Sequence, residues 1–358
     1  MTGTGANGAA PATGQESPLP LEDFAVTARA ILAAVNSVID GKEETAGIAL
    51  TVLLAQGHLL LEDVPGVGKT MLAKTLARAV HGTVSRIQFT PDLLPSDVTG
   101  VSMYNQGTGS FEFRPGPVFA HLVIGDEINR ASAKTQSALL ECMEESQVSV
   151  DGRVYPLGEP FMVLATQNPV EMEGTFPLPE AQRDRFMARI SMGYPDRAAE
   201  LDMLSSHQNR SPLERLEPVT DTARLRRMIA TVHGVFVSDP VREYVVDLGR
   251  STREHPEINL GASPRALLHV LRAAKARAAL DGRDHVLPDD VVAVAESVLA
   301  HRLLVDRRAA LGGRDAATIL AEILQRLPAD PASGRSAARR AQLGPEDSGS
   351  WNHRAGVP

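Results

Sequence analysis

Three short apolar runs each break off into a polar signature, and they set the frame for the rest of the chain. The first is His58 to Thr70, HLLLEDVPGVGKT, which empties into a Pro- and Gly-containing turn ending in Gly68, Lys69 and Thr70. The second, His121 to Arg130, HLVIGDEINR, ends in adjacent acids; the third, Phe161 to Asn168, FMVLATQN, ends in an amide. Continuous apolar runs bounded by turn residues predict buried strands of a parallel sheet. Around them the period changes to that of helices. Phe24, Ala28, Ile31, Leu32, Val35 and Ile39 recur at helical spacing, with Gly41 where that helix stops, and a second helix runs to Gln56, closed by Gly57. Leu72, Leu76 and Val80 continue a helix after the first turn, and Val84 to Phe89 predicts a further strand.

Alternation about a GTG turn in VSMYNQGTGSFEFRPG predicts a hairpin near 99–116, and Asp151-Gly152 predicts a second at 147–158. From Leu201 to His207, Leu225 to His233, Val241 to Arg250, Ala266 to Leu280 and Val291 to Val305 the pattern is helical, with Pro264 and Pro288 at helix starts. Glu141, Glu144 and Glu145 form an acidic cluster expected to be a solvated helix face. Residues 1–20 and 328–358 are biased, weakly apolar segments expected to be a disordered leader and tail.

The first run has the chemistry of a phosphate-binding loop. Glycines let backbone N–H groups converge on phosphate oxygens, and the following helix presents its positive end. Val64, Pro65, Gly66, Val67, Gly68, Lys69, Thr70 and Met71 are therefore the nucleotide-binding candidates, with Lys69 reaching the β- and γ-phosphates and Thr70 holding Mg²⁺. The usual pattern opens on a glycine where this chain has Asp63, whose carboxylate must point away from phosphate. A strand beside the first would set Asp126 at the Mg²⁺ shell and Glu127 where a water attacks the γ-phosphate, and Asn168 could orient that water.

Composition narrows the partners. A formal charge of −8 supplies no basic field for nucleic acid, and 4% aromatic residues offer few stacking platforms. The lone cysteine, Cys142, excludes an intramolecular disulfide and suits a reducing compartment. No run approaches the ~20 apolar residues of a membrane helix, so no membrane insertion and a cytoplasmic location are expected.

On these residues the chain resembles the AAA+ ATPases, and within them the MoxR family, which is carried by GDEINRASAKTQSALLECMEE from Gly125, ATQNPVEMEGTFPLPEAQRDRF from Ala165 and GASPRALLHVLRAAKARA from Gly261. The resemblance runs from about Leu21 to about Leu327 and implies an α/β three-layer core with a five-stranded, mostly parallel sheet over 21–195. An all-helical lid over 196–327 follows, with nucleotide between the two. It also implies that Ile39 and Gly41 lie at the adenine, although those residues alone suggest only a capped helix end. It makes Arg185 the finger that reaches a neighbouring subunit's γ-phosphate, Arg265 the lid arginine that senses that phosphate, and Arg130 a residue near a subunit boundary. Tyr104, Phe111 and Phe113 of the first hairpin become contact residues at a pore or partner face, or else cover a small local core. The implied activity is ATP hydrolysis with Mg²⁺ in a ring, hexameric in the family, that remodels or matures client proteins with a von Willebrand factor A domain partner. Two other readings stand beside it: a nucleotide-gated scaffold with little turnover, and a nucleic-acid motor.

Overall fold

A computed structural model of the protein describes residues 16–39, 41–63, 67–168, 176, 178–194, 197, 201 and 212–327. Helices α1 (Leu21–Asn36) and α2 (Glu43–Leu54) precede the central sheet. Its strands are β1 (Leu59–Glu62), β2 (Val84–Gln88), β5 (Leu122–Asp126), β8 (Met162–Gln167) and β9 (Ala188–Ile190), in the order β2-β5-β8-β1-β9. All four neighbouring pairs are parallel. The apolar runs fall on the three inner strands because both sheet faces are covered. α3 (Lys69–Ala79) follows β1, and α5 (Ala133–Glu145) follows β5.

Between β2 and β5 the chain makes the short helix α4 (Pro95–Thr99) and a hairpin of β3 (Gly100–Asn105) and β4 (Ser110–Pro115). A second hairpin, β6 (Gln147–Val150) and β7 (Arg153–Pro156), follows α5. Its turn residues Asp151 and Gly152 have φ of 50° and 73°, the left-handed pair that an Asp-Gly turn supplies. Phe113 joins the two hairpins: its ring stacks on Tyr155 at 4.0 Å and meets Phe119 edge-on at 5.6 Å. Tyr104 and Phe111 pair with each other at 5.4 Å but are 57% and 70% exposed. The two roles left open for these aromatics thus separate, Phe113 being local core and the other two surface.

The lid is built from the helices Thr222–Gly234, Asp239–Glu254, Pro264–Leu280, Pro288–Leu299 and Ala316–Arg326. A small antiparallel ribbon of β10 (Ile258–Leu260) and β11 (Leu304–Val305) clips them together. That ribbon explains why the helix expected over Val291 to Val305 ends at Leu299: pairing with Ile258 takes Val305 into a strand. One apolar cluster runs from α1 (Phe24, Ile31) and α3 (Leu72) into the lid (Leu248, Val270, Leu320), so the lid is seated on the core rather than tethered to it.

The leader expected through Pro20 is corrected for its last five residues. Glu16 pairs with Arg226 at 2.7 Å, Ser17 accepts from Arg227 through its carbonyl, and Leu19 is buried with its carbonyl on Thr231. Residues 1–15, the tail from 328 and most of the predicted helix from Leu201 to His207 lie outside the described residues. Among the described residues no helix is long and apolar enough to cross a membrane.

Candidate active site

The site forms where β1, β5 and β8 end together. Paired in register, Glu62 lies beside Gln167, and Gly125 beside Ala165, which sets Asp63, Asp126 and Asn168 along one edge. This is the carboxyl edge of a parallel sheet, the place where such sheets bind ligands. Val64, Pro65 and Gly66 lie outside the described residues; Gly68, at φ 93°, caps α3, and Lys69 is its first residue. Lys69 donates from Nζ to the carbonyl of Asp63 at 2.7 Å. Burial pushes its ammonium below the usual lysine range, against the opposite pull of Asp63, Asp126 and Glu127.

Asp63 turns its side chain away from the loop, as the missing glycine requires. Oδ2 accepts the backbone N–H groups of Met192 at 2.6 Å and Gly193 at 2.7 Å, and the Ser191 hydroxyl at 3.0 Å. Its φ is not positive, so no left-handed backbone is involved.

Thr70 Oγ1 lies 3.4 Å from Asp126 Oδ2, and Thr166 Oγ1 donates to Asp126 Oδ1 at 3.2 Å. The Thr166 hydroxyl also accepts the Glu127 N–H at 3.0 Å, which holds the acid pair in place while Glu127 takes a left-handed φ of 58°. The Glu127 carboxylate then receives Gln88 Nε2 at 3.0 Å and Arg130 Nε at 3.0 Å. Arg86 Nε meets Asp126 Oδ2 at 2.6 Å. Asn168 is buried just past the end of β8. Thr70 and Asp126 supply a hydroxyl and a carboxylate, the all-oxygen pair that suits Mg²⁺ sharing its other positions with phosphate and water. Among the described residues no group of three or more His, Cys, Asp or Glu could hold a metal alone.

Arg86, Gln88 and Thr166 were not singled out by sequence. For Arg86 and Gln88 the side-chain direction, though not the partner, follows from alternation: in SRIQF, Ile87 and Phe89 are buried, which turns Arg86 and Gln88 to the other face.

Ile39 is half-buried against the core, and Gly41 takes a φ of 66° with open space where a Cβ would stand. The following Lys42 donates to the Tyr194 carbonyl at 3.2 Å, so this segment is tied to the chain leaving β9. A cleft of about 510 Å³ opens between α2, β9 and the lid helix Pro288–Leu299, with Thr45, Ile48, Glu62 and Ser191 in its walls.

Arg185 and Arg265 are brought together, but at the other edge of the sheet. His58, just before β1, contacts Met143 near the end of α5, and its carbonyl accepts the Met187 N–H, so the end of α5 and the start of β9 lie at the amino edge. There Arg185 donates to the Leu140 carbonyl at 2.7 Å and pairs with Glu144 at 3.1 Å. Arg265, in the first turn of its lid helix, pairs with the same Glu144. Both guanidiniums are thus a strand's length, roughly 13 Å, from the Lys69 edge. Arg183 instead makes a local ion pair with Glu180 at 3.5 Å. Glu141, Glu144 and Glu145 are all exposed, as expected of a solvated helix face, and Glu144 in addition bridges core and lid through its carboxylate.

A parallel sheet in the order β2-β5-β8-β1-β9, a loop lysine, an acid pair and a helical lid together define an ATPase of the AAA+ class. The family model described as "ATPase family associated with various cellular activities (AAA)" matches residues 58–188, and that of the AAA lid domain matches residues 250–323. Protein YeaC of Bacillus subtilis is 51% identical over 290 residues, 81% of this chain and 91% of its own length. Chaperone MoxR1 of Mycobacterium tuberculosis is 44% identical, covering 76% of this chain and 74% of its own. The crystal structure of an ATPase candidate from Cytophaga hutchinsonii superposes with a TM-score of 0.81 at 39% identity, over 86% of this chain and 96% of that one. The chain belongs to the MoxR family of AAA+ ATPases.

Proposed function

We propose that the protein hydrolyses ATP to ADP and phosphate in a ring and uses the cycle to remodel or mature client proteins. The observation that carries the chemistry is the network at the carboxyl edge that links Thr70, Asp126, Thr166 and Glu127, with Lys69 held at the same edge by the Asp63 carbonyl. The loop amides of Val67 to Met71, with Val64 to Gly66 before them, and Lys69 bind phosphate charge; Thr70 and Asp126 hold Mg²⁺. When bound, Mg²⁺ neutralises charge on the β- and γ-phosphate oxygens. Glu127 polarises the attacking water and Asn168 orients it. Gln88 and Arg130, both on the Glu127 carboxylate, control where that carboxylate points. Ile39 and Gly41 sit on the adenine side.

Arg185 and Arg265 lie at the wrong edge to serve their own loop, which supports a role at the γ-phosphate of a neighbouring subunit. A finger supplied in trans is worth on the order of 10³ to 10⁵ in rate in related phosphoryl-transfer systems. Turnover then requires assembly, with a hexamer as the family's ring. The chaperone name of the Mycobacterium relative supports a client-directed cycle. A von Willebrand factor A domain protein is the proposed partner, and the cytoplasm the proposed location.

The test is specific ATPase activity against protein concentration, with Arg185→Ala and Glu127→Gln alongside. Activity should rise steeply with concentration and vanish in both variants, while Glu127→Gln still binds ATP. Concentration-independent turnover that survives Arg185→Ala removes the shared site, and turnover by Glu127→Gln removes Glu127 from its role. Little turnover at any concentration, with ATP bound, favours a nucleotide-gated scaffold.

A further inference from the structure

Beside their shared apolar cluster, the lid and the core share the carboxylate of Glu144. Glu144, near the end of α5, is exposed; one oxygen faces Arg185 Nη2 at 3.1 Å and the other takes Arg265 Nη2. Arg185 is fixed a second time, by the Leu140 carbonyl at 2.7 Å on the same helix. Arg265 has a weaker second partner, Asp184 at 3.9 Å. Asp184 is itself committed to Arg302 at 3.4 Å and to the Ser263 hydroxyl at 2.9 Å. The charged groups facing one another are thus Arg185, Arg265 and the buried Arg302 against Glu144 and Asp184, with Glu141 and Glu145 lining the recess beside Arg185.

Arg265 occupies the first turn of the helix Pro264–Leu280, where the helix dipole disfavours a cation. Glu144 offsets that cost and at the same time fixes the distance between the lid arginine and the core arginine. A guanidinium has five donors, so each arginine spends one edge on Glu144 and keeps others for a ligand. Both remain about a third exposed, at 31% and 39%. Beside Arg185 a recess of about 240 Å³ opens to solvent between Leu140, Glu144 and Gln182.

The geometry points to Glu144 as the positioning residue of this arginine pair: it clamps the lid arginine beside the core arginine, so that the lid's seating sets how the pair meets a neighbour's γ-phosphate. The inference rests on the reading of Arg185 as a residue that acts in trans. Misplacement of a group aimed at a reacting phosphate by about an ångström costs up to roughly a hundredfold in rate. Glu144 touches no reacting atom; its effect passes through Arg185 and Arg265.

The experiment compares Glu144→Ala, the isosteric Glu144→Gln and Arg185→Ala as full-length proteins. It measures kcat and KM in assembled protein, fluorescent ATP-analogue affinity at concentrations below assembly, and assembly by sedimentation. The expected result for both Glu144 variants is a fall in kcat of roughly ten- to a hundredfold. KM, nucleotide affinity and assembly should stay near wild type, because the loop lies at the opposite sheet edge. If Glu144→Ala does not fold, Glu144→Gln decides alone. Wild-type kcat in Glu144→Gln, with Arg185→Ala inactive, overturns the clamp and leaves the trans finger standing. A rise in kcat also overturns it, since the carboxylate would then restrain the arginines. Activity retained in Arg185→Ala removes the finger and the clamp with it.

Discussion

The carboxylate of Asp63 accepts the backbone N–H of Met192 at 2.6 Å, so the residue that opens the phosphate loop is bolted to the chain leaving β9. The Gly193 N–H and the Ser191 hydroxyl share the same oxygen, and the Asp63 carbonyl holds Lys69. A glycine there would supply only backbone freedom; Asp63 fastens the loop to the segment that leads to the lid. Asp63→Ala leaves two amides without their acceptor, one of them buried, a loss of about 2–3 kcal/mol. Asp63→Asn keeps an acceptor oxygen and should lose about half as much. Urea denaturation of the three proteins checks this; equal stability of Asp63→Ala and wild type would show the anchor to be idle.

Two buried histidines and a half-buried third predict acid lability. His58 receives the Val163 N–H at Nδ1, so Nε2 is the protonated nitrogen and donates to the Met143 carbonyl. Burial, with Arg272 nearby, lowers its pKa to about 4. Loss of solvent, and then the charges of Arg302, Arg272 and Arg265, lower His269 to about 2; burial, and then Arg302, Arg189 and Arg183, hold His301 well below its usual value. The unfolded chain binds these protons first, near pH 6.5. Stability is therefore full above that pH and is lost as pH falls toward the folded values, at up to about 1.4 kcal/mol per histidine per pH unit. Denaturation at pH 7.5 and 5.5 should show the loss, and His58→Gln, which can keep both hydrogen bonds, should shrink it by about one histidine's share. An unchanged slope in His58→Gln would mean that His58 takes no part.

The strands that build the site were legible because β1, β5 and β8 are covered on both faces, which writes them as continuous apolar runs ending at the chemistry. Lys69, Thr70, Asp126, Glu127 and Asn168 follow those runs directly. Thr166, Arg86 and Gln88 were hidden for a different reason: their roles depend on which strands are neighbours. The order β2-β5-β8-β1-β9 is a matter of long-range packing, not of local pattern. Glu144 was hidden more deeply. On α5 it occupies a polar face, and only the docking of a lid helix some 120 residues later, bringing Arg265 to it, converts a surface acid into a junction. Cys142, two residues earlier, is buried, which pushes its thiol up to about 12, away from the reactive thiolate.

The two hairpins offer a final division between packing and display. Phe113 stacks on Tyr155 and meets Phe119, so its ring ties the first hairpin to the second and to the segment before β5. Gly100 and Gly116 close the hairpin's neck: a Cβ on Gly100, at φ 99°, would lie 2.3 Å from the Arg114 carbonyl oxygen, and one on Gly116 would lie 2.4 Å from that of Val98. Phe111, by contrast, touches Tyr104 and is otherwise in water. Phe113→Ala should therefore cost about 1–3 kcal/mol through the lost ring contacts. Phe111→Ser should change stability by about 0.5 kcal/mol or less. If Phe111 serves a client or partner, its loss should leave basal ATPase activity unchanged and reduce stimulation by that protein. Thermal unfolding of the two variants separates the roles, and equal losses would place Phe111 in the same packed cluster as Phe113.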